Sequence, residues 1–118
     1  MKEYYDSQSV GDETVYRTLA GLCYTGAVKA FAEEKGAYWL IDMVWSYLPR
    51  IRRHNTLNQN NFLIVTLDLN KTGSGAKFTV KEDTGSVPII TQKVQFTDLD
   101  TSVKLYLIDG TLMFPSEY

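Results

Sequence analysis

The sequence is poor in the residues that mark stapled folds and metal centres. It has one cysteine, Cys23, and one histidine, His54. A single thiol cannot close a disulfide within the chain, which excludes a small secreted scaffold held by its own bridges. One thiol and one imidazole also cannot complete a zinc shell without carboxylates. A nucleophilic Cys23–His54 pair is formally available. However, Cys23 follows Leu22 in an apolar context, where cysteine behaves as a small hydrophobe, and His54 lies in a polar stretch. An excess of positive charge is missing too: 12 basic residues face 14 acidic ones, for a net charge of −2. Generic nucleic-acid binding runs on phosphate neutralisation, so this balance argues against nucleic acid as the partner. Long apolar runs are absent. The longest spans Ala37 to Leu48 and carries Asp42, well short of the roughly 20 residues a membrane-spanning helix needs. Met1 to Asp6 has no apolar stretch of the kind a secretory leader carries.

What is present is ordinary globular material. The 118 residues are 44% hydrophobic and 22% charged, which fits one domain, 1–118, with a core of its own. Residues 1–11 are polar and aperiodic and read as a loose N-terminal arm. Asp12 suits a helix N-cap, with Val15, Leu19 and Leu22 at helical spacing after it. Thr25 is a second N-cap candidate. It leads into Val28, Phe31 and Ala32 on one face, and Gly36 suits the left-handed C′ position. Ala37 to Leu48 is apolar nearly all round, which predicts a buried central helix stopped by Pro49. Arg50 to Asn61 is polar and asparagine-rich and reads as the loop crossing to a sheet.

From Phe62 onward the period changes to two. Leu63, Val65, Leu67 and Leu69 alternate, then Ala76, Phe78 and Val80 against Lys77, Thr79 and Lys81. Ile90, Gln92, Val94 and Phe96 form a third run, and Val103, Leu105 and Leu107 a fourth. Asp109-Gly110 is a two-residue hairpin signal, because both positions take positive φ. Short links between such runs predict an antiparallel meander. The expected fold is therefore α+β, with N-terminal helices on one face of a four- to five-stranded antiparallel meander sheet.

No residue set stands out as catalytic, and none as a metal or cofactor site. Asp98 and Asp100 could share a side for a cation, but aspartate is a normal turn residue there. Asn70 to Lys77 superficially resembles a phosphate loop. Its lysine precedes its glycines and a strand follows, so a hairpin turn is the better reading. Asp42 is the polar anomaly of the apolar helix. Tyr38, Trp45 and Ser46 stand within a turn of it, which predicts a structural hydrogen bond and a loss of stability on Asp42→Ala. Arg50, Arg52 and Arg53, with His54, form the dense basic cluster. They suit a helix C-terminus or, as a partner-binding site, an acidic protein surface.

Several strings resemble a bacterial and phage family of small uncharacterised proteins. They are Tyr24-Thr25-Gly26, the run Gly36-Ala37-Tyr38-Trp39-Leu40-Ile41-Asp42, Glu82-Asp83-Thr84-Gly85 and the tail Pro115-Ser116-Glu117-Tyr118. The resemblance covers about Gly11 to Tyr118. It implies a prokaryotic, phage or mobile-element setting and transfers no site residue; composition, the lone cysteine and the lack of a leader-like or membrane-spanning run give the expectation of a cytoplasmic protein. Together these readings give an expectation of a non-enzymatic protein-interaction module, for example an inhibitor of a host defence system such as an anti-CRISPR. The alternatives are a small carboxylate-dependent enzyme or a nucleic-acid-binding accessory protein. Surplus tyrosine and the arginines suit a protein partner. The terminal hairpin ending in Phe114 suggests an exposed strand edge and a homodimer.

Overall fold

The computed structural model describes residues 15–18 and 21–118. The expected cap at Asp12, the arm at 1–11 and Leu19 lie outside the described residues. Where a first helix was expected, the chain runs as two short strands, β1 (Val15–Arg17) and β2 (Cys23–Thr25), paired antiparallel. Between them Thr18 N–H donates to Leu22 O at 2.7 Å, and Gly21 takes φ +87°, a value a helix does not accommodate. Valine and tyrosine beside that turn favour the pleated conformation.

The next helix, α1 (Gly26–Lys35), behaves as its sequence predicts. Thr25 Oγ1 accepts from Val28 N–H, and Gly36 takes φ +61° at the C-terminal end. Val28, Phe31 and Ala32 are buried. The apolar stretch after it does not form one central helix. It divides into α2 (Tyr38–Ser46) and α3 (Leu48–Asn58), joined at Tyr47 with φ −95° and ψ 2°. Pro49 begins α3 rather than stopping α2. It sits in the first turn of α3, where its missing N–H has no intrahelical partner to lose. α2 is correspondingly one-sided: Leu40, Ile41 and Val44 are buried, whereas Tyr38, Asp42, Trp45 and Ser46 are exposed. Arg50 to Asn58 is helix and not a crossing loop. Leu48 and Ile51 are its buried anchors.

The strands that follow are β3 (Phe62–Leu69), β4 (Ala76–Lys81), β5 (Ile90–Val94), β6 (Val103–Ile108) and β7 (Thr111–Met113). They join β1 and β2 in a seven-stranded sheet of order β1-β2-β7-β6-β3-β4-β5. The sheet is larger than the four to five strands expected, and it is not a simple meander. After β5 the chain crosses back to set β6 against β3, and β2 pairs with β7 in parallel. Phe96 lies beyond the end of β5 and is 70% exposed. The crossing segment is anchored by Leu99, which joins the core, and by Thr97 N–H donating to Ser74 O at 2.7 Å. Asp109 and Gly110 both take positive φ, +50° and +78°, as the two-residue hairpin requires. β7 therefore lies inside the sheet, and the edge expected at Phe114 is not an edge. The outer strands are β1 and β5.

All three helices pack on one face of this sheet. The core unites Phe31, Leu40, Val44 and Ile51 with Leu63, Val65, Phe78, Leu105 and Leu112. Tyr47 stacks on Phe78 at 6.0 Å, and Phe31 meets Phe114 edge-on at 5.9 Å. No helix among the described residues is long and apolar enough to cross a membrane.

Candidate functional site

The arginines of the basic cluster do not form one patch, because α3 displays them around its circumference. Arg50 is tied down: its guanidinium donates to Ile89 O, just before β5, at 3.0 Å. Four residues on, His54 Nε2 lies 2.6 Å from Glu82 Oε1, at the end of β4. Asn58 Nδ2 donates to His54 O at 2.9 Å and stands 3.2 Å from His54 Nδ1. These contacts fasten α3 to one side of the sheet. Arg52 points elsewhere. It lines a cleft of about 450 Å³ with Asn55, Asp109, Gly21 and Gly110, near the opposite strands. Arg53 is exposed. A helix holding sheet together by one flank is a structural arrangement, and no local pattern points to Glu82 as His54's partner, 28 residues away.

The other sequence-predicted candidates are dispersed. Asp42 is exposed on α2, and Ser46 Oγ donates to Met43 O at 2.6 Å instead of to Asp42. The expected buried carboxylate is thus an exposed one, because α2 buries only one stripe. Cys23 is half-buried in β2, its Sγ 3.8 Å from Gly21 O. Asp98 and Asp100 are exposed in the crossing segment, where Thr101 Oγ1 donates to Asp100 at 3.3 Å. Among the described residues no group of three or more histidine, cysteine or carboxylate side chains could hold a metal ion. Asn70 to Lys77 is the β3–β4 hairpin turn, as expected.

The more informative surface is the face of the sheet that the helices leave open. Alternation along paired strands places its residues in rows. In one row Lys81, Ile64, Tyr106 and Met113 lie side by side across β4, β3, β6 and β7. In the next stand Thr91, Thr79, Thr66 and Lys104. Beyond these come Lys93, Lys77 and Asp68. At the opposite end Phe62 and Ile108 are paired. Phe62, Tyr106 and Tyr118 form an aromatic group, with ring centres 4.9, 5.4 and 5.8 Å apart. Lys104 Nζ lies 6.0 Å over the Tyr106 ring. Thr66 and Thr79 hydroxyls hydrogen-bond to each other, which satisfies both buried oxygens at the centre of the face.

The turn that resembled a phosphate loop closes one end of this face. It lines a cleft of about 540 Å³ together with Lys77, Thr91 and Lys93. Gly75 is required there, because a Cβ would meet Val94 O at 2.9 Å and Asn70 Nδ2 at 2.7 Å. A profile of a family of unknown function, DUF6876, matches residues 6–118. The chain belongs to that family. No curated protein and no solved structure matches it.

Proposed function

We propose that this DUF6876 member acts by binding rather than by turnover, and that it docks its partner on the open face of its sheet. The observation that carries this reading is the chemistry of that face. A folded domain gains by covering apolar sheet, yet Phe62, Tyr106, Ile108 and Met113 stay half-buried there, with only the short 3-10 turn Pro115–Glu117 and Tyr118 packed beside them among the described residues. Tyr118 is 77% exposed. Aromatic residues grouped in this way, beside charged ones, have the composition of recognition surfaces. The setting expected from the family resemblance, a phage or mobile element opposing a host defence system, is consistent with a small module that works by occupying a host component.

The test is to place a photo-reactive residue at Met113, on the open face, and separately at Asp42, on α2. Cells expressing each variant are then irradiated. Adducts are expected from position 113 and not from position 42. Adducts from position 42 alone would move the docking surface to the helices and refute the reading.

A further inference from the structure

We infer that the open face is built to hold a single strand of nucleic acid, with bases over the aromatic group and phosphates over the lysines that run from beside it to the cleft. This rests on the reading of that face as the docking surface and names its occupant. Three observations converge on it. The first is charge. Although the whole chain carries a net −2, the open face presents Lys77, Lys81, Lys93 and Lys104, with Arg17 on the same side of β1. The carboxylate set among them is Asp68, directly opposite Lys77. Glu117 lies at the margin, where its carboxylate accepts from Thr25 Oγ1 at 2.8 Å and from Phe114 N–H at 2.9 Å.

The second is a repulsive pair. Lys77 and Lys93 are directly opposed on β4 and β5, and both are exposed. Like charges facing across an antiparallel pair destabilise it, and an anion held between them removes the repulsion. They line the 540 Å³ cleft with the Gly73-Ser74-Gly75 turn, whose hydroxyl and backbone groups add hydrogen-bonding capacity beside the two ammonium groups.

The third is the aromatic end. Phe62, Tyr106 and Tyr118 lie on the same face, in the rows farthest from that cleft. Six residues of β3 separate the ends, a span of about 20 Å. Side chains on an open sheet stack on splayed bases, whereas the bases of a duplex are already stacked and paired. Lys81 shares the row of Tyr106, and Arg17 is in register with Phe62 and Ile108, so cations flank the rings as well as line the cleft, and this mix fits a single strand and not a double helix. RNA and DNA share this chemistry. The interaction with a sugar 2′-hydroxyl separates them.

The inference is tested with fluorescent single-stranded RNA and DNA oligonucleotides of mixed sequence and the matching duplex. Binding to the 118-residue chain is followed by anisotropy across a salt series. Single strands are expected to bind at least about tenfold more tightly than the duplex. Affinity should fall as salt rises, with a log–log slope near −0.7 for each phosphate neutralised. Lys93→Glu should reduce that slope and weaken binding about tenfold or more, while raising the melting temperature because it now faces Lys77 with opposite charge. A variant that binds less yet is more stable cannot be explained by misfolding. Tyr106→Ala combined with Tyr118→Ala should weaken binding about tenfold or more and leave the slope unchanged.

Salt-independent binding, equal affinity for duplex, or full affinity in Lys93→Glu would overturn the inference. If no oligonucleotide binds but the Met113 cross-linker captures a protein, the nucleic-acid occupant is refuted and the docking face stands. If neither is captured, both fail.

Discussion

The two faces of the sheet follow the same alternation and are used in opposite ways. On the covered face Leu63, Val65, Leu67, Phe78, Val80, Leu105 and Leu107 are each at most 1% exposed, sealed under α1, α2 and α3. One residue further along the same strands, the open face mixes aromatic rings, threonines and lysines. The covered face carries stability. The open face contributes less to stability, so its composition is free to serve recognition, even at the expense of a repulsive Lys77–Lys93 pair. Ile64, 7% exposed on the open side, shows that the division is not simply inside against outside: the long side chains flanking it, Lys81 and Tyr106, can cover it with their apolar stems.

The comparison breaks most visibly at Phe78. It is fully buried beneath Tyr47, and Phe78→Ala is expected to destabilise the fold by about 3–5 kcal/mol in urea denaturation. A loss under about 1 kcal/mol would mean that the helices do not seal that face. Thr25 joins the two halves of the chain, capping α1 and donating to Glu117. Thr25→Ala should lower stability by about 1 kcal/mol, read by the same denaturation curve. Asp42, exposed on the outer side of α2, should give a change within about 0.5 kcal/mol on replacement by alanine. A larger loss would restore the buried role its sequence context suggested.

The smallest effect is expected on the outer side of α1. There the Lys29 ammonium, 2.9 Å away, and the Tyr38 hydroxyl, 3.1 Å away, both donate to Glu33, holding its carboxyl below the ordinary value. A depressed folded pKa stabilises above the unfolded value near 4.5 and is lost as pH falls through the folded one. Glu33→Gln should therefore flatten the acid limb of the stability curve slightly, with no change at pH 7 to 9 beyond a small salt-sensitive loss.

Much of the covered face was legible in the sequence, because burial imposes a period. The β3, β4 and β6 runs, the Asp109-Gly110 turn and the Thr25 and Gly36 caps of α1 all follow from local rules. What local rules missed is set by distant partners. α3 has a polar, asparagine-rich sequence with weak helix propensity, and it is held by Leu48 and Ile51 below and by Ile89 O and Glu82 alongside. The β1–β2 hairpin is masked in the sequence because Val15 and Leu22 happen to share a helical spacing, while parallel pairing of β2 with β7 brings together residues far apart in sequence. The candidate site was only half visible. Lys77, Thr79 and Lys81 alternate plainly, but a polar alternate row reads as solvent-facing until the register sets it beside Tyr106, Lys104 and Lys93. Arg50, Arg52 and Arg53 are close neighbours in sequence, and a helix spreads such neighbours around its circumference.

The most direct test of the open face as the docking surface is amide chemical-shift mapping. Isotope-labelled protein is titrated with a short single-stranded oligonucleotide. The account predicts shifts concentrated at Lys77, Thr79, Lys81, Lys93, Lys104 and Tyr106, with Arg50, Arg52 and Arg53 of α3 unmoved. Shifts confined to α3, with those open-face amides silent, would contradict it.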